Sequence, residues 1–361
     1  MARALALAES ALFITSPNPR VGCVITAADG RVLGEGATQA AGGPHAEVMA
    51  LRDAQARGQD VRGATAWVTL EPCSHTGRTG PCCDALAAAG IARVVASLGD
   101  PNPLVGGRGF ERLRAAGIAV EVGPGAAAAR ELNLGFFSRM VRKTPWVRMK
   151  VAASLDGTTA LDNGASQWIT SPAARADGHA WRARACAVLT GIGTVLEDDP
   201  QLDVRLVETP RQPRVVLVDS RLELPLEARL LRPGRELLVY TASDDPARRA
   251  ALQARGATVI ARPGPGGKVD LAAMLRDLAA REVNELHVEA GHKLNGSLVR
   301  EGLVDEFLVY LAPRLLGPGR GMAALGPLTA LAQGVDLEFT SATPVGPDLR
   351  VLARVPGRDR F

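Results

Sequence analysis

The sequence has little lysine, little tyrosine and only a small excess of positive charge. Its 42 basic residues include only four lysines, and the net charge is +4 over 361 residues. So small a charge argues against a general nucleic-acid binder. Two tyrosines beside seven phenylalanines and four tryptophans also provide few rings on which the bases of a single strand would stack. We therefore expect no nucleic-acid partner.

The sequence also has no long apolar run and few cysteines. No apolar stretch approaches the ~20 residues that a membrane-spanning helix needs. The N-terminus MARALALAESALF is interrupted by Glu9, so we expect an amphipathic helix with Leu5 and Leu12 on one side, and no signal peptide. Five cysteines in so long a chain do not make a disulfide framework, and metal-binding or structural roles are expected for them. We expect a soluble, cytoplasmic protein.

Strand and helix patterns alternate along the whole chain and predict two α/β domains. Early strands are expected at 21–26 and 32–36 around an Asp29-Gly30 turn, and a long helix at 126–142. A strand-like run opens at Trp146, just after Pro145. We therefore place one domain at 1–145 and a second at 146–361. Within the second domain, helices are predicted at 172–184 and 295–302.

The stretch 69–83, TLEPCSHTGRTGPCC, carries three of the five cysteines, and His45-Ala46-Glu47 lies upstream of it. Catalytic zinc usually has three protein ligands and keeps its fourth position for water. A carboxylate beside that water can take its proton and pass it to a leaving nitrogen. We predict that His45, Cys73 and Cys82 bind one zinc ion per chain, and that Glu47 is the catalytic proton carrier.

Some alternatives remain open for this site. Cys83 adjoins Cys82 and could replace it as a ligand. His75 could supply the fourth ligand of a purely structural zinc site, although such a site has no need of Glu47. Because residues i and i+2 do not share a face of a regular helix, His45 and Glu47 must converge from an irregular first turn.

The second half is ambiguous when only its residues are considered. Gly191-Ile192-Gly193 lacks the third glycine of a dinucleotide-binding fingerprint, and we reject that interpretation. The turn after the predicted strand at 286–289 has backbone N–H groups that could receive a phosphate. Taken alone, these residues are better explained by an ordinary connection between a strand and a helix.

Motifs in the first half resemble a known family. His45-x-Glu47 with Pro72-Cys73 is similar to the cytidine deaminase superfamily, but eight residues separate Cys73 from Cys82, where two are usual. That longer loop, with TSPNP at 15–19, VGCV at 21–24 and DPNP at 100–103, resembles the bifunctional deaminase–reductases of riboflavin biosynthesis. The resemblance implies a three-layer α/β/α deaminase domain that replaces the C2 amino group of a diaminopyrimidine ribosylamino 5′-phosphate by oxygen. By matched position, it implies substrate contacts at Asn18, His75 and Arg78.

Motifs in the second half resemble the reductase domain of the same family. They are RMKVAASLDG at 148–157, SQWITS at 166–171, TVLEDDP at 194–200 and VEAG at 288–291. The resemblance implies a fold similar to dihydrofolate reductase, with NADPH as the cofactor and hydride transfer to C1′ of the opened ribosylamine. We take Lys150 as the proton donor, since a strand lysine in a pocket can have a tuned pKa. The implied NADPH contacts are Ala152, Trp168, Thr194, Asp198, Ser220, Gly291, His292, Lys293, Leu294, Asn295, Gly296 and Ser297. The implied substrate contacts are Ser166, Arg182, Leu202, Arg205 and Glu289.

The expected protein is thus a bifunctional enzyme, a zinc-dependent hydrolytic deaminase followed by an NADPH-dependent reductase that acts on consecutive intermediates. Its expected partners are phosphorylated pyrimidines and further copies of itself, with no membrane. Two other interpretations stay open. One is a nucleic-acid or nucleoside deaminase with an unrelated C-terminal nucleotide-binding domain, and the other is a zinc-stabilised scaffold with a nucleotide-binding sensor domain.

Overall fold

A computed structural model of the chain describes residues 1–75, 80–103 and 105–361. The chain divides into two compact units, Met1–Lys143 and Thr144–Phe361. Both units combine a central sheet with helices, so the predicted α/β class is confirmed. Within the described residues, none of the helices has the length and apolar character needed to cross a membrane.

Among its described residues, the first unit has five strands and six helices. The strands are β1 (Gly22–Thr26), β2 (Val32–Ala37), β3 (Thr65–Val68), β4 (Arg93–Ala96) and β5 (Ala119–Val122). The helices are α1 (Ala2–Ser10), α2 (Ala46–Ala56), α3 (Cys82–Ala88), α4 (Arg108–Ala115), α5 (Ala126–Leu132) and α6 (Leu134–Arg142). The strand order is β2-β1-β3-β4-β5, with β1 antiparallel to both of its neighbours and β3, β4 and β5 parallel.

Glycines in the first two strands let helices pack closely on both faces of this sheet. A Cβ on Gly22 would lie 1.9 Å from the Ala4 carbonyl oxygen in α1, and one on Gly36 would lie 2.6 Å from the Ala50 nitrogen in α2. Gly36 pairs with Cys23, the neighbour of Gly22, so the two glycines lie on opposite faces of the sheet. The expected three-layer α/β/α arrangement is therefore confirmed.

Two expectations about helices in this unit are wrong. Helix α1 ends at Ser10, before Leu12, and its buried positions are Ala4 and Ala8. The single helix predicted at 126–142 is two helices that meet at Asn133. The Asn133 amide accepts from the backbone N–H of Arg20 at 2.8 Å and donates to the Arg20 carbonyl at 2.9 Å. This side chain binds another part of the chain at the point where the helix is interrupted.

The second unit has eleven strands and five α-helices among its described residues. The strands are β6 (Trp146–Ser154), β7 (Ala160–Leu161), β8 (Ala187–Gly191), β9 (Arg214–Val218), β10 (Leu237–Thr241), β11 (Ala257–Ala261), β12 (Glu285–Val288), β13 (Glu306–Ala312), β14 (Gly319–Arg320), β15 (Glu338–Val345) and β16 (Asp348–Arg354). The helices are α7 (Pro172–Arg184), α8 (Ile192–Asp198), α9 (Pro246–Ala254), α10 (Leu271–Ala280) and α11 (His292–Arg300). A nine-stranded sheet has the order β11-β10-β9-β8-β12-β6-β13-β16-β15, parallel from β11 to β13 and antiparallel beyond.

The centre of this sheet has a buried charged layer beneath α7. Arg148 in β6 is 1% exposed, and its guanidinium pairs with Glu285 in β12 at 2.9 Å and with Glu306 in β13. The Trp181 ring of α7 lies over the same guanidinium, 4.5 Å from its carbon atom. Because a buried charge left unpaired costs about 3–5 kcal/mol, these pairs fix how α7 and the three strands sit together.

The predicted helix at 172–184 matches α7, whereas three other features of this unit differ from expectation. Helix α11 begins at His292, three residues before the predicted start. Neither α8 nor the edge strand β15 was predicted from the sequence. Strand β15 is largely exposed, so its sequence lacks the apolar alternation that marks a half-buried strand.

Candidate functional site

The three predicted zinc ligands meet in the first unit. His45 is the extended residue before α2, Cys73 lies in the loop after β3, and Cys82 opens α3. The His45 Nδ1 atom lies 3.5 Å from the Cys73 sulfur and 3.4 Å from the Cys82 sulfur. All three ligand atoms lie within 4.8 Å of one another. Three segments that are separate in sequence thus present one imidazole and two thiols to a common point.

These distances fit a tetrahedral zinc ion. Zn–N bonds of about 2.1 Å and Zn–S bonds of about 2.3 Å, at a tetrahedral angle, place the nitrogen and sulfur about 3.6 Å apart. The two observed nitrogen–sulfur distances, 3.5 and 3.4 Å, are close to that value. One imidazole and two thiolates supply three of the four ligands, which is the donor set of catalytic zinc sites.

Glu47 is a buried carboxyl group beside this cluster. It is 3% exposed and lies in the first turn of α2, while His45 keeps an extended backbone at φ −76° and ψ 168°. The irregular helix start expected for this pair is therefore present. Burial, with a contribution from the nearby Cys73 thiolate, raises the pKa of Glu47 to about 7. A bound dication would shift that pKa back towards the ionised form, so Glu47 can both take up and release a proton near neutral pH.

The two thiols have different electrostatic surroundings. The Cys82 backbone N–H donates to the Cys73 sulfur at 3.4 Å. Hydrogen bonds, from the Cys82 thiol first and also from His45, lower the pKa of Cys73 to about 4. The same shared proton raises the pKa of Cys82. The lowered pKa favours the thiolate form of Cys73, and a dication at the cluster would favour the thiolate form of Cys82 as well.

The other predicted residues of the first unit lie in different places. The Cys83 thiol donates to the carbonyl oxygens of Pro72 at 3.1 Å and Gly109 at 3.5 Å, so the ligand cluster contains Cys82 and not Cys83. His75 is exposed, and Asn18 is half-buried in the loop before β1. Arg78 falls outside the described residues.

A buried carboxylate that was not predicted from the sequence holds the cysteine loop. Glu71 is 4% exposed and accepts from the backbone N–H groups of Asp100 at 3.0 Å, Gly107 at 3.0 Å and Gly109 at 2.8 Å. Glu71, which lies two positions before Cys73, thereby connects the cysteine loop to the segment that leads into α4. The sequence signal that could have indicated this role is a charged residue directly before Pro72-Cys73, at the end of an apolar strand.

In the second unit, predicted residues meet around a cavity of about 270 Å³. They come from the motifs at 148–157, 166–171, 194–200 and 288–291 and from the start of α11, and so from elements far apart in sequence. The predicted residues in the cavity wall are Lys150, Ala152, Ser166, Trp168, Thr194, Asp198, Glu289, Gly291, His292 and Asn295.

The remaining predicted residues of this unit are not among the described residues that line the cavity. They are Arg182, Leu202, Arg205, Ser220, Lys293, Leu294, Gly296 and Ser297. Ser220 follows β9, and its hydroxyl accepts from the Val269 backbone N–H at 3.2 Å. Gly296 packs against another segment, since a Cβ there would lie 2.2 Å from the Ala324 carbonyl oxygen. The structure therefore gives these two residues packing contacts away from the cavity wall.

Arg182, Glu289 and Lys150 form the charged centre of the second site. The Arg182 guanidinium donates two parallel hydrogen bonds to the Glu289 carboxylate, at 2.7 and 2.9 Å. Burial alone would raise the pKa of Glu289, but Arg182, with His287 and Lys150, holds it well below its usual range. Burial lowers the pKa of Lys150. The cavity thus presents an ionised carboxylate beside a lysine that releases its proton more readily than usual.

Two further contacts at the cavity wall were not predicted. The Arg175 guanidinium lies 4.4 Å from the ring centroid of Trp168, which is 61% exposed. Arg320 in β14 pairs with Glu197 in α8 at 2.8 Å. All four side chains line the cavity. No local motif marks Arg175 or Arg320, because only the folded chain brings α7, α8 and β14 together.

Both parts of the chain match known families. Residues 1–98 match the cytidine and deoxycytidylate deaminase zinc-binding region, and residues 145–351 match the RibD C-terminal domain. With the His/Cys/Cys cluster in one unit and the cavity in the other, these matches define a two-domain deaminase–reductase.

Curated relatives and solved structures match nearly the whole chain. Riboflavin biosynthesis protein RibD of Escherichia coli is 47% identical and RibD of Aquifex aeolicus 40%, each aligned over 97% of this chain and 96% of the relative. Acinetobacter baumannii RibD superposes with a TM-score of 0.88 at 40% identity, covering 98% of this chain and 97% of that one. A Thermotoga maritima diaminohydroxyphosphoribosylaminopyrimidine deaminase/5-amino-6-(5-phosphoribosylamino)uracil reductase gives 0.87 at 33% identity with the same coverage.

The chain therefore belongs to the RibD family of bifunctional deaminase–reductases in riboflavin biosynthesis. Its deaminase domain binds zinc, and its reductase domain is of the type that binds NADPH. The alternative of a nucleic-acid deaminase with an unrelated second domain is not favoured, because both halves match the same family.

Proposed function

We propose that residues 1–145 deaminate 2,5-diamino-6-ribosylamino-4(3H)-pyrimidinone 5′-phosphate and that residues 146–361 reduce the ribosyl group of the product to a ribityl chain. The Thermotoga maritima relative is named for this pair of reactions. The observation that carries the proposal for this chain is the placement of His45 Nδ1 within 3.5 Å of both cluster sulfurs, beside the buried Glu47.

In the deamination, this chain's residues hold the metal and move protons. Zinc, when bound at His45, Cys73 and Cys82, supplies an activated water at neutral pH. The Glu47 carboxylate takes a proton from that water as the water oxygen bonds to ring C2, and it delivers this proton to the leaving amino nitrogen. The bond between C2 and the amino nitrogen breaks, ammonia departs, and the remaining proton of the hydroxyl group moves to the adjacent ring nitrogen as the C2 carbonyl forms. We assign Asn18, His75 and Arg78 to the substrate.

In the reduction, NADPH supplies the hydride. We assign the proton that the nitrogen of the opened ribosylamine receives to Lys150 Nζ, whose pKa burial lowers. Hydride to C1′ and proton to nitrogen together convert the imine to an amine. Glu289 stays ionised in its pair with Arg182 and contacts the substrate. Arg205, whose side chain is 52% exposed, is available to the 5′-phosphate.

Other contacts and properties of the enzyme are part of the same proposal. We assign NADPH to the predicted cofactor residues that line the cavity, and the substrate to Ser166 and Leu202 as well. We also propose that the enzyme is cytoplasmic, forms a homo-oligomer and binds no nucleic acid; the small net charge of +4 supports the last point. Light scattering on the purified chain measures the oligomeric state.

Supplying each substrate separately tests the proposal. The diaminopyrimidine alone should release ammonia without NADPH, and the deaminated pyrimidine alone should drive NADPH oxidation without ammonia. Metal analysis should find about one zinc per chain. Ammonia release without zinc, or NADPH oxidation that requires the diamino compound itself, would contradict the assignment.

A further inference from the structure

The segment 201–205, between α8 and β9, is held by side chains although it belongs to no helix or strand. Leu202 has a φ of 50°, in the left-handed region that costs a non-glycine residue free energy. Leu202 and Val204 are nonetheless only 5% and 6% exposed. A conformation of this kind persists only when its surroundings determine it.

Arg235 holds the start of this segment. Its Nη1 donates to the Gln201 carbonyl and its Nη2 to the Leu202 carbonyl, each at 2.6 Å. Its Nε donates to the Pro213 carbonyl at 3.1 Å, just before β9. One guanidinium therefore binds three carbonyl oxygens and fixes the segment against the entry to the neighbouring strand. Burial lowers the pKa of Arg235 to about 10, so the group remains charged at neutral pH.

Helix α7 holds the end of the segment with two side chains one turn apart. Arg182 donates from Nη1 to the Asp203 carbonyl, and the Arg205 backbone N–H donates to His179 Nδ1 at 3.2 Å. His179 is 5% exposed, and burial, with Arg182 and Arg205, lowers its pKa to about 4. A neutral imidazole keeps the lone pair that accepts this hydrogen bond.

Gln212 binds the middle of the segment. Its amide accepts from the Val204 N–H at 2.7 Å and donates to the Val204 carbonyl at 2.9 Å. This is the pair of hydrogen bonds that a neighbouring strand would have made. With the contacts of Arg235, Arg182 and His179, a side chain now binds at least one backbone group of every residue from 201 to 205.

We propose that His179, Gln212 and Arg235 are positioning residues for the reductase reaction. They hold the 201–205 segment so that its side chains meet the phosphorylated ribosyl part of the substrate. This inference rests on the proposed reductase function, in which Leu202 and Arg205 contact that substrate.

The geometry of Arg205 shows what the positioning achieves. With its backbone N–H bound to His179, the side chain stays 52% exposed, and its Nη1 lies 2.7 Å from Asp203 Oδ1. That carboxylate orients the guanidinium before any phosphate arrives. Small displacements of a substrate-positioning group can reduce kcat/KM by up to about a hundredfold, so the backbone of the segment must be held as firmly as the side chain.

Four variants of the full-length enzyme test the proposal, with two readouts. Arg235→Lys keeps the charge but loses the guanidinium that binds three carbonyl oxygens. His179→Leu removes the acceptor for the Arg205 N–H. His179→Asn restores an acceptor near the Nδ1 position. Gln212→Glu is the mildest change, since Gln212 is exposed and the new carboxylate still accepts from Val204. Arg255→Lys, at the exposed end of α9, is the matched control.

Hydrogen exchange of peptides covering 201–206 should quicken in Arg235→Lys and His179→Leu, and should stay near the wild-type rate in His179→Asn and Arg255→Lys. The reductase KM for the pyrimidine should rise about tenfold in the two disruptive variants, with a smaller rise in Gln212→Glu. Their kcat and NADPH dissociation constant should stay within about twofold, because the segment lies outside the cofactor cavity wall.

Unchanged exchange in both disruptive variants would overturn the proposal. Faster exchange with an unchanged KM would also overturn it, as would a loss of NADPH affinity parallel to the rise in KM. Exchange needs no substrate, so it reports on the segment independently of the reaction. A wild-type enzyme that fails to reduce the deaminated pyrimidine would instead reject the proposed function.

Discussion

The two candidate sites differ in how far along the chain their residues are spread. The zinc cluster takes its ligand atoms from residues 45 to 82, at the starts of two helices and one loop between them. The walls of the second cavity come from residues 150 to 322, on strands, helices and loops of most of that unit. Sequence motifs predicted the zinc ligands and ten of the residues that line the second cavity. Contacts between distant elements in that cavity, such as the contact of Arg175 with Trp168, appear only in the fold.

The sites also differ in what keeps the carboxylate of each site ionised. Burial raises the pKa of Glu47 to about 7, and the cation that would oppose this is the zinc ion. Glu289 has its cation built in, since Arg182 holds its pKa well below the usual range. The deaminase site therefore depends on a bound metal ion to balance the charge of Glu47, while the reductase site has the Arg182 guanidinium to balance the charge of Glu289.

The largest effect should come from removing a zinc ligand. Cys73→Ala should reduce bound zinc from about one per chain to near zero and abolish ammonia release, because catalytic zinc needs all three protein ligands. NADPH oxidation with the deaminated pyrimidine should persist. Metal analysis and the two assays measure this. Cys83→Ala is the matched control, since the Cys83 thiol binds carbonyl oxygens outside the cluster. A Cys73→Ala protein that keeps its zinc would contradict the ligand assignment.

Removing the built-in cation of the second site should have the next largest effect. Arg182→Met removes the bidentate partner of the partly buried Glu289 carboxylate and should lower the free energy of unfolding by about 3–5 kcal/mol. Urea unfolding followed by tryptophan fluorescence reports mainly on this unit, which contains Trp146, Trp168 and Trp181. Arg182→Lys keeps a positive charge, so its free energy of unfolding should decrease less. If the free energy of unfolding of Arg182→Met lies within about 1 kcal/mol of the wild-type value, Arg182 does not balance the charge of Glu289 as described.

The smallest effect should be a change in the pH dependence of stability. His179 has a pKa of about 4 in the folded chain, below the ~6.5 expected when unfolded, so the unfolded state binds more protons between these values. The stability it confers is full above about pH 6.5 and is lost as the pH falls towards 4. When the pH falls from 7 to 5, the free energy of unfolding of His179→Asn should therefore decrease by about 2 kcal/mol less than that of the wild type. Urea unfolding at both pH values measures this, and parallel losses would show that His179 is not held neutral.

Local features could be predicted from the sequence. The structure brings His45, Cys73 and Cys82 together as the motifs predicted, because these donor types in these motifs are typical of one kind of zinc site. Helix α7 matches its predicted range because its start has local signals. Ser171 caps its first turn by accepting from the Ala174 N–H, and a proline follows at its first position.

Features that depend on tertiary contacts could not be predicted. The helix break at Asn133 exists because that amide binds the distant backbone of Arg20, which no local pattern shows. The sequence left Cys82 and Cys83 as alternatives, and only the carbonyl partners of the Cys83 thiol separate them. Likewise, the stacking of Arg175 on Trp168 joins α7 to a loop of irregular structure. The predicted roles of the individual site residues stay predictions until they are measured.

The two sites should work independently of each other, and Glu47→Gln separates their activities. This variant should keep its zinc and release ammonia about 10²–10⁴-fold more slowly, because only the proton carrier is lost. With the diaminopyrimidine supplied, NADPH oxidation should fall in step with ammonia release. With the deaminated pyrimidine supplied, NADPH oxidation should equal that of the wild type. Normal ammonia release, or an equal loss of NADPH oxidation with both substrates, would contradict the account.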